Sequence, residues 1–192
     1  MPERAMKERE GAMKAILRIY RVERGRKILE REEKLNTFTN NFVKFLAYSL
    51  MSLHADEETV QAMTAIDGSS QNVRLQGQAA TYLLNDTTGL DLPLYISIGS
   101  DNTPASRDDY ALKNLQMSAE ASGPTITNGT IKYSANFTPG TDITVREVGL
   151  SKVWREAGAG SSYEFLLLRS VISDFTMSAG TTYVVEITIS LS

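Results

Sequence analysis

Nine residues near the end of the chain alternate in character: Tyr183, Val185, Ile187, Ile189 and Leu191 stand against Val184, Glu186, Thr188 and Ser190. An extended chain sends successive side chains to opposite sides, so this period of two specifies a strand with one buried and one wet face. Such a strand is not stable by itself. Its backbone needs paired neighbours and its apolar side needs a second layer.

The same texture recurs upstream. Tyr95-Ile-Ser-Ile-Gly reads as a strand, and Ile131, Tyr133, Ala135 and Phe137 share one face of another. Val145 to Trp154 and Glu164 to Ile172 supply two more, separated by Gly-, Pro-, Ser- and Asp-rich turns at 139–142, 157–162 and 178–181. Near the start, residues 15–22 and 27–32 read as two strands joined at Gly25, with Arg and Glu on the wet face. One segment changes period: Phe38, Phe42, Phe45, Leu46, Ser49, Leu50 and Leu53 recur at steps of three and four, with Thr37 or Thr39 placed to cap a helix. Residues 56–63 open with three acids and read as a short helix, and one hairpin is expected within the polar stretch that follows.

The expected fold is therefore mostly β: an antiparallel β-sandwich, jelly-roll-like or immunoglobulin-like, with an N-terminal β-hairpin and one amphipathic helix. The chain divides into a charged arm (1–14), the hairpin and helix (15–54), an insertion or long loop (55–91) and the sandwich core (92–192), with 15–54 and 92–192 forming one domain.

Absences narrow the chemistry. The chain has no cysteine, so it has no thiolate nucleophile, disulfide framework or cysteine metal site, and its one histidine, His54, rules out a multi-histidine centre. No cofactor or metal is expected. Residues 1–54 hold 12 Lys and Arg against 7 Asp and Glu, the remainder 8 against 16. The basic excess is interleaved with acids, which argues against nucleic acid as a partner. No apolar run approaches the roughly 18 residues of a membrane span, and the expectation is a soluble chain made in the cytoplasm.

Residues 99–109 leave strand texture for Gly, Ser, Asp, Asn, Thr and Pro. A phosphate cradle would need more glycines and a lysine before a helix, and a calcium loop would need oxygens in an order that Asp101, Asn102, Asp108 and Asp109 do not follow. Adjacent Asp108 and Asp109 read as solvated turn charges, with Pro104 fixing a turn and Ala111 and Leu112 tucking the loop onto the sheet. Glu147 is placed to pair with Arg146 or Arg169, and Gly149 marks a bulge or a close backbone approach. Trp154 is the candidate for stacking on a carbohydrate. A hydrolase built on a pair among Asp56, Asp101, Asp108 and Glu147 is a third reading, unsupported by any nucleophile.

Five short motifs occur in order: Asn36-Thr-Phe-Thr-Asn40-Asn-Phe-Val-Lys-Phe-Leu-Ala, Ile98-Gly99 through Pro104 and Asp108 to Leu112, the long strand after Ile131, Glu147-Val-Gly149-Leu, and Leu167-Leu-Arg169 before the closing strand. Together they resemble structural proteins of tailed bacterial and archaeal viruses, over residues 15–54 and 92–192. Asp101 stands where that pattern prefers glycine, and residues 55–91 are longer than usual. The resemblance implies a non-enzymatic virion component of tail, fibre, baseplate, neck or head-associated type, partnered by copies of itself and by other virion proteins. It makes Asn36, Asn40, Gly99, Pro104, Asp108, Glu147, Gly149 and Arg169 structural motif residues.

Overall fold

In the computed structural model, described over residues 13–51, 59–75, 93–155 and 161–191, the closing strand lies at the centre of a sheet. Elements run β1 (Met13–Glu23), β2 (Arg26–Leu35), α1 (Asn40–Met51), β3 (Thr59–Thr64), β4 (Ser70–Leu75) and β5 (Leu94–Gly99). Then follow β6 (Leu115–Glu120), β7 (Ser122–Thr127), β8 (Thr130–Phe137), β9 (Ile143–Arg155), β10 (Ser162–Met177) and β11 (Tyr183–Leu191). One antiparallel sheet has the order β2-β1-β11-β8-β7, a second β10-β9-β5-β6, and β3 pairs only with β4.

Register explains the core. Leu17 pairs with Ile187 and Ile187 with Tyr133, while Ile19, Val185 and Ala135 form the next row. All six are buried and meet Ile96, Ile98, Val148, Leu150 and Leu168 of the other sheet in one cluster, so the two sheets face each other as a sandwich. Each fully buried side chain of this size contributes about 1.5–3 kcal/mol through area removed from water. On the opposite face, Arg18 pairs with Glu32 at 2.6 Å and Lys27 with Glu186 at 2.7 Å. β1 and β2 are antiparallel through Arg24-Gly25, both at positive φ (48° and 75°), and Asn128-Gly129 (47° and 74°) turns β7 into β8 the same way. Two positive φ values in a two-residue loop match the right-handed twist of the strands, and they explain glycine at the second position.

β9 and β10, of 13 and 16 residues, also carry a second core. Trp154, Phe165 and Leu167 meet Phe42 and Phe45 of α1 and Met63, Ala65 and Val73 of the small hairpin. Thr39, not Thr37, caps α1: its hydroxyl accepts the Phe42 N–H at 3.4 Å and donates to the Leu166 carbonyl at 2.6 Å. The helix expected over 56–63 is instead a strand from Thr59 onward, and 56–58 lie outside the described residues. Full antiparallel pairing from Thr59↔Leu75 to Thr64↔Ser70 outweighs the placement of three acids. β6 and β7 were not read as strands from the sequence, and in β7 Gly123 and Pro124 interrupt a short polar run.

Trp154 is corrected too. It is 5% exposed and stacks on Phe45 with centroids 5.1 Å apart and planes 12° from parallel. It is a core residue, closed to a sugar.

Candidate functional site

The resemblance residues converge on one place, where residues 100–114 meet β9 and β10. Arg169 is fully buried on β10. Its Nε donates to Glu147 Oε2 at 2.7 Å, Nη1 to Asp109 Oδ2 at 2.9 Å and Nη2 to the Thr103 carbonyl at 3.1 Å; Asp101 Oδ1 stands 3.6 Å from Nη2. Thus of the two partners considered for Glu147, Arg169 is the one it has. Arg146 pairs with Asp174 at 3.1 Å.

Glu147, also fully buried, accepts the N–H groups of Lys113 and Asn114 at 3.1 and 2.8 Å. Asp109 accepts the Ser106 N–H at 2.8 Å and pairs with Lys113 Nζ at 2.9 Å. Burial pushes the Asp109 carboxyl up, but the Ser106 N–H, Lys113 and the Arg169 guanidinium outweigh it and hold it below the usual carboxylate range. Asp109 is therefore not a solvated turn charge; of the adjacent acids, only Asp108 is exposed, and it accepts Asn40 Nδ2 at 2.7 Å. Asp101, the departure from the glycine of the pattern, accepts from Thr103, and that bond, aided by Arg169, lowers its carboxyl.

Backbone geometry makes room for this arrangement. A Cβ on Gly99 would stand 2.5 Å from Glu147 Oε1 and 2.6 Å from the Asn114 carbonyl oxygen. A Cβ on Gly149 would stand 2.3 Å from Leu112 Cδ1, so Gly149 serves as the floor on which the loop's Leu112 rests. The register shift expected near Gly149 lies across from it, between Leu166 and Leu168 of β10. Pro104 is exposed and biases Thr103 toward an extended backbone. Asn36 is tied to the residue after Arg169: Ser170 Oγ accepts the Asn36 N–H at 3.0 Å and lies 3.2 Å from Asn36 Oδ1. The Arg169 N–H donates to the Thr37 carbonyl at 3.1 Å and Phe38 bridges to Leu168, so residues 36–39 line the edge of β10.

Chemically this is a clasp. Asp101 and Asp109, two of the oxygen-bearing residues weighed for a calcium loop, turn together with Glu147 onto a guanidinium, and each acceptor close to it is already bonded. Sequence reasoning missed Asp109, because two adjacent aspartates give no sign of which one points inward.

A separate cleft of about 190 Å³ opens on the second sheet, with Ser97, Ser118, Ser151 and Glu164 as its polar lining and Leu112 and Leu166 among its apolar walls. Ser97 donates to Ser118 at 2.9 Å and Ser151 to Glu164. No helix among the described residues is long and apolar enough to cross a membrane. Comparison with protein-family models, curated proteins and solved structures gave no match.

Proposed function

We propose that this chain is a non-enzymatic structural subunit of a tailed-virus particle, in a tail, fibre, baseplate, neck or head-associated position, assembling by subunit contacts. The observation that carries the reading is at the sheet edges. Among the described residues the sandwich has four edge strands, and three of them, β2, β6 and β7, each expose a large apolar side chain: Leu29 at 51%, Leu115 at 54% and Ile126 at 56%. Apolar side chains beside unpaired strand backbone suit docking by strand addition or by edge-to-edge contact. The Arg169 clasp supports the same reading, since its charged groups are occupied with one another in holding a loop. The jelly-roll-like or immunoglobulin-like assignment belongs to this proposal, as does virion localisation.

The test is sedimentation of the purified chain by analytical ultracentrifugation over a wide concentration range, with mass spectrometry of purified particles. Self-association weakened by Leu115→Asp or Ile126→Asp is expected; a strict monomer absent from every particle preparation would end the proposal.

The cleft lined by Ser97, Ser118, Ser151 and Glu164 favours a second reading, a carbohydrate-binding module, since hydroxyls and a carboxylate between apolar walls suit sugar hydroxyls. Binding on a glycan array that Ser151→Val abolishes would promote it. Silence across the array would remove it.

A further inference from the structure

Four polar side chains, one from each strand of the second sheet, line the cleft of about 190 Å³: Ser118 on β6, Ser97 on β5, Ser151 on β9 and Glu164 on β10. Ile96 and Ile98 flank Ser97, and Leu150 precedes Ser151; these apolar neighbours turn to the core, so the hydroxyls turn to the other face. Register places Ser97 opposite Ser118 and Ser151 opposite Leu166. Ser97 and Ser151 are buried at the floor of the cleft, while Ile66 and Leu115 are exposed at its mouth and Leu112 and Leu166 form its walls.

The protons of this polar group are already committed. A serine hydroxyl has one proton to give and a carboxylate has none. Ser97 donates to Ser118 at 2.9 Å and Ser151 donates to Glu164. What remains is lone pairs on Ser97, Ser151 and the second Glu164 oxygen, against a single O–H on Ser118. Among the described residues no Lys, Arg or His lines the cleft, and the bond from Ser151 is the one side-chain hydrogen bond that Glu164 has. We propose that the cleft is a socket for a primary ammonium group carried on a short carbon frame, the chemistry of a lysine side chain or an amino sugar. An ammonium has three donors and no acceptor, the complement of three free acceptor sites and one negative charge. Its carbon frame lies against Leu112 and Leu166, as the methylenes of long cationic side chains lie along apolar surface. Size agrees: at roughly 30 Å³ for each water-sized unit the cleft holds about six of them, enough for an aminobutyl group. A neutral sugar would leave the carboxylate's charge unmatched, so the inference goes beyond both readings above in requiring a cation.

The amide NMR shifts of Ser97, Ser151 and Glu164 in the full chain are followed at neutral pH and fixed ionic strength. The ligands added in turn are n-butylammonium, its neutral counterpart n-butanol, Nα-acetyl-lysinamide, glucosamine and glucose. n-Butylammonium is expected to saturate these shifts with a Kd of about millimolar, a range open to so small a ligand, and n-butanol to bind at least tenfold more weakly. Glu164→Gln, which keeps the outline of the side chain, should weaken the ammonium at least tenfold and leave n-butanol within twofold. Tighter binding of acetyl-lysinamide than of glucosamine would support the socket with a lysine side chain as its source, and the reverse order would support it with an amino sugar. Equal affinities for n-butylammonium and n-butanol, glucose binding as tightly as glucosamine, or no saturable shift with any amine on the unaltered chain would overturn the proposal. None of these outcomes bears on self-association, which sedimentation reads separately.

Discussion

Arg169→Met is the sharpest perturbation, because it removes the one cation that Glu147, Asp109 and Asp101 share while retaining a long apolar side chain. Removing one partner of a buried ion pair costs about 3–5 kcal/mol, since the other charge stays buried without compensation. Here the orphaned acids keep other bonds. Glu147 retains two backbone N–H donors, and Asp109 retains one N–H and the Lys113 ammonium. The lower end is therefore expected, about 3 kcal/mol, or roughly 6–12 °C in Tm for a chain of this length at about 2–4 °C per kcal/mol. Urea and thermal unfolding followed by circular dichroism measure it. Hydrogen exchange should quicken at Ser106, Lys113 and Asn114 before the rest of the sheet. Pairing Arg169→Met with Glu147→Leu should cost less than the sum of the two single changes, with a coupling of at least about 1.5 kcal/mol. A single-variant cost under about 1 kcal/mol, or simple additivity, would refute the clasp.

Asp109, held below its ordinary pKa, contributes stability that is complete above the unfolded value of about 3.9 and is lost as pH falls through the folded one; Asp109→Asn should flatten that acid limb in urea midpoints measured against pH. Gly99→Ala should cost about 3 kcal/mol and Gly149→Ala about 1 kcal/mol by chemical denaturation, within the usual range for overpacking, because the first meets a backbone oxygen at 2.6 Å and the second the end of a leucine. Trp154→Ala should cost about 3–5 kcal/mol by leaving a cavity. Trp154→Phe should cost under about 1.5 kcal/mol, since it also removes an indole N–H that has no acceptor among the described residues; the two are compared by thermal melts. Arg169→Lys keeps the charge but offers it from a single point, so it should recover less than half of the stability lost in Arg169→Met, read in the same melts.

Much of the sandwich was legible because strand periodicity is local. Tyr183 to Leu191 and Ile131 to Phe137 reveal their buried faces without any knowledge of partners, and both faces are found against the opposite sheet. Gly149 was legible for the same reason, since it interrupts a strand where a side chain would otherwise stand and a close approach is what it permits; the tighter approach at Gly99, to Glu147 and the Asn114 carbonyl, was not. Facts that depend on distant chain were not legible. Trp154 sits in a strand of ordinary composition, and it is buried by distant chain: α1, from more than a hundred residues upstream, together with the small hairpin at Met63 and Val73. Asp109 looks like its neighbour Asp108 until Arg169, 60 residues later, selects it. The strand at Thr59–Thr64 depends on a partner beyond a turn in which the Asp67 side chain accepts the Ser69 N–H at 2.8 Å.

The clasp also bears on why a loop should be fastened by charge when apolar packing is cheaper to build. An apolar loop anchor tolerates sliding by a residue, because one leucine fills a hollow much as the next does. Arg169 does not tolerate it: its planar fork sends one N–H group each to Glu147, Asp109 and the Thr103 carbonyl, so the guanidinium is satisfied only when the loop takes one path. Glu147 reads the far end of the same loop through the amides of Lys113 and Asn114. Ion pairs of this kind add little net stability compared with well-packed hydrocarbon, but each wrong register leaves a charge buried and unpaired, which penalises alternatives more than it rewards the native state. A loop held this way presents a fixed outline to whatever meets it, with Leu112 seated on Gly149 underneath and Asp108 locked to Asn40 at the rim.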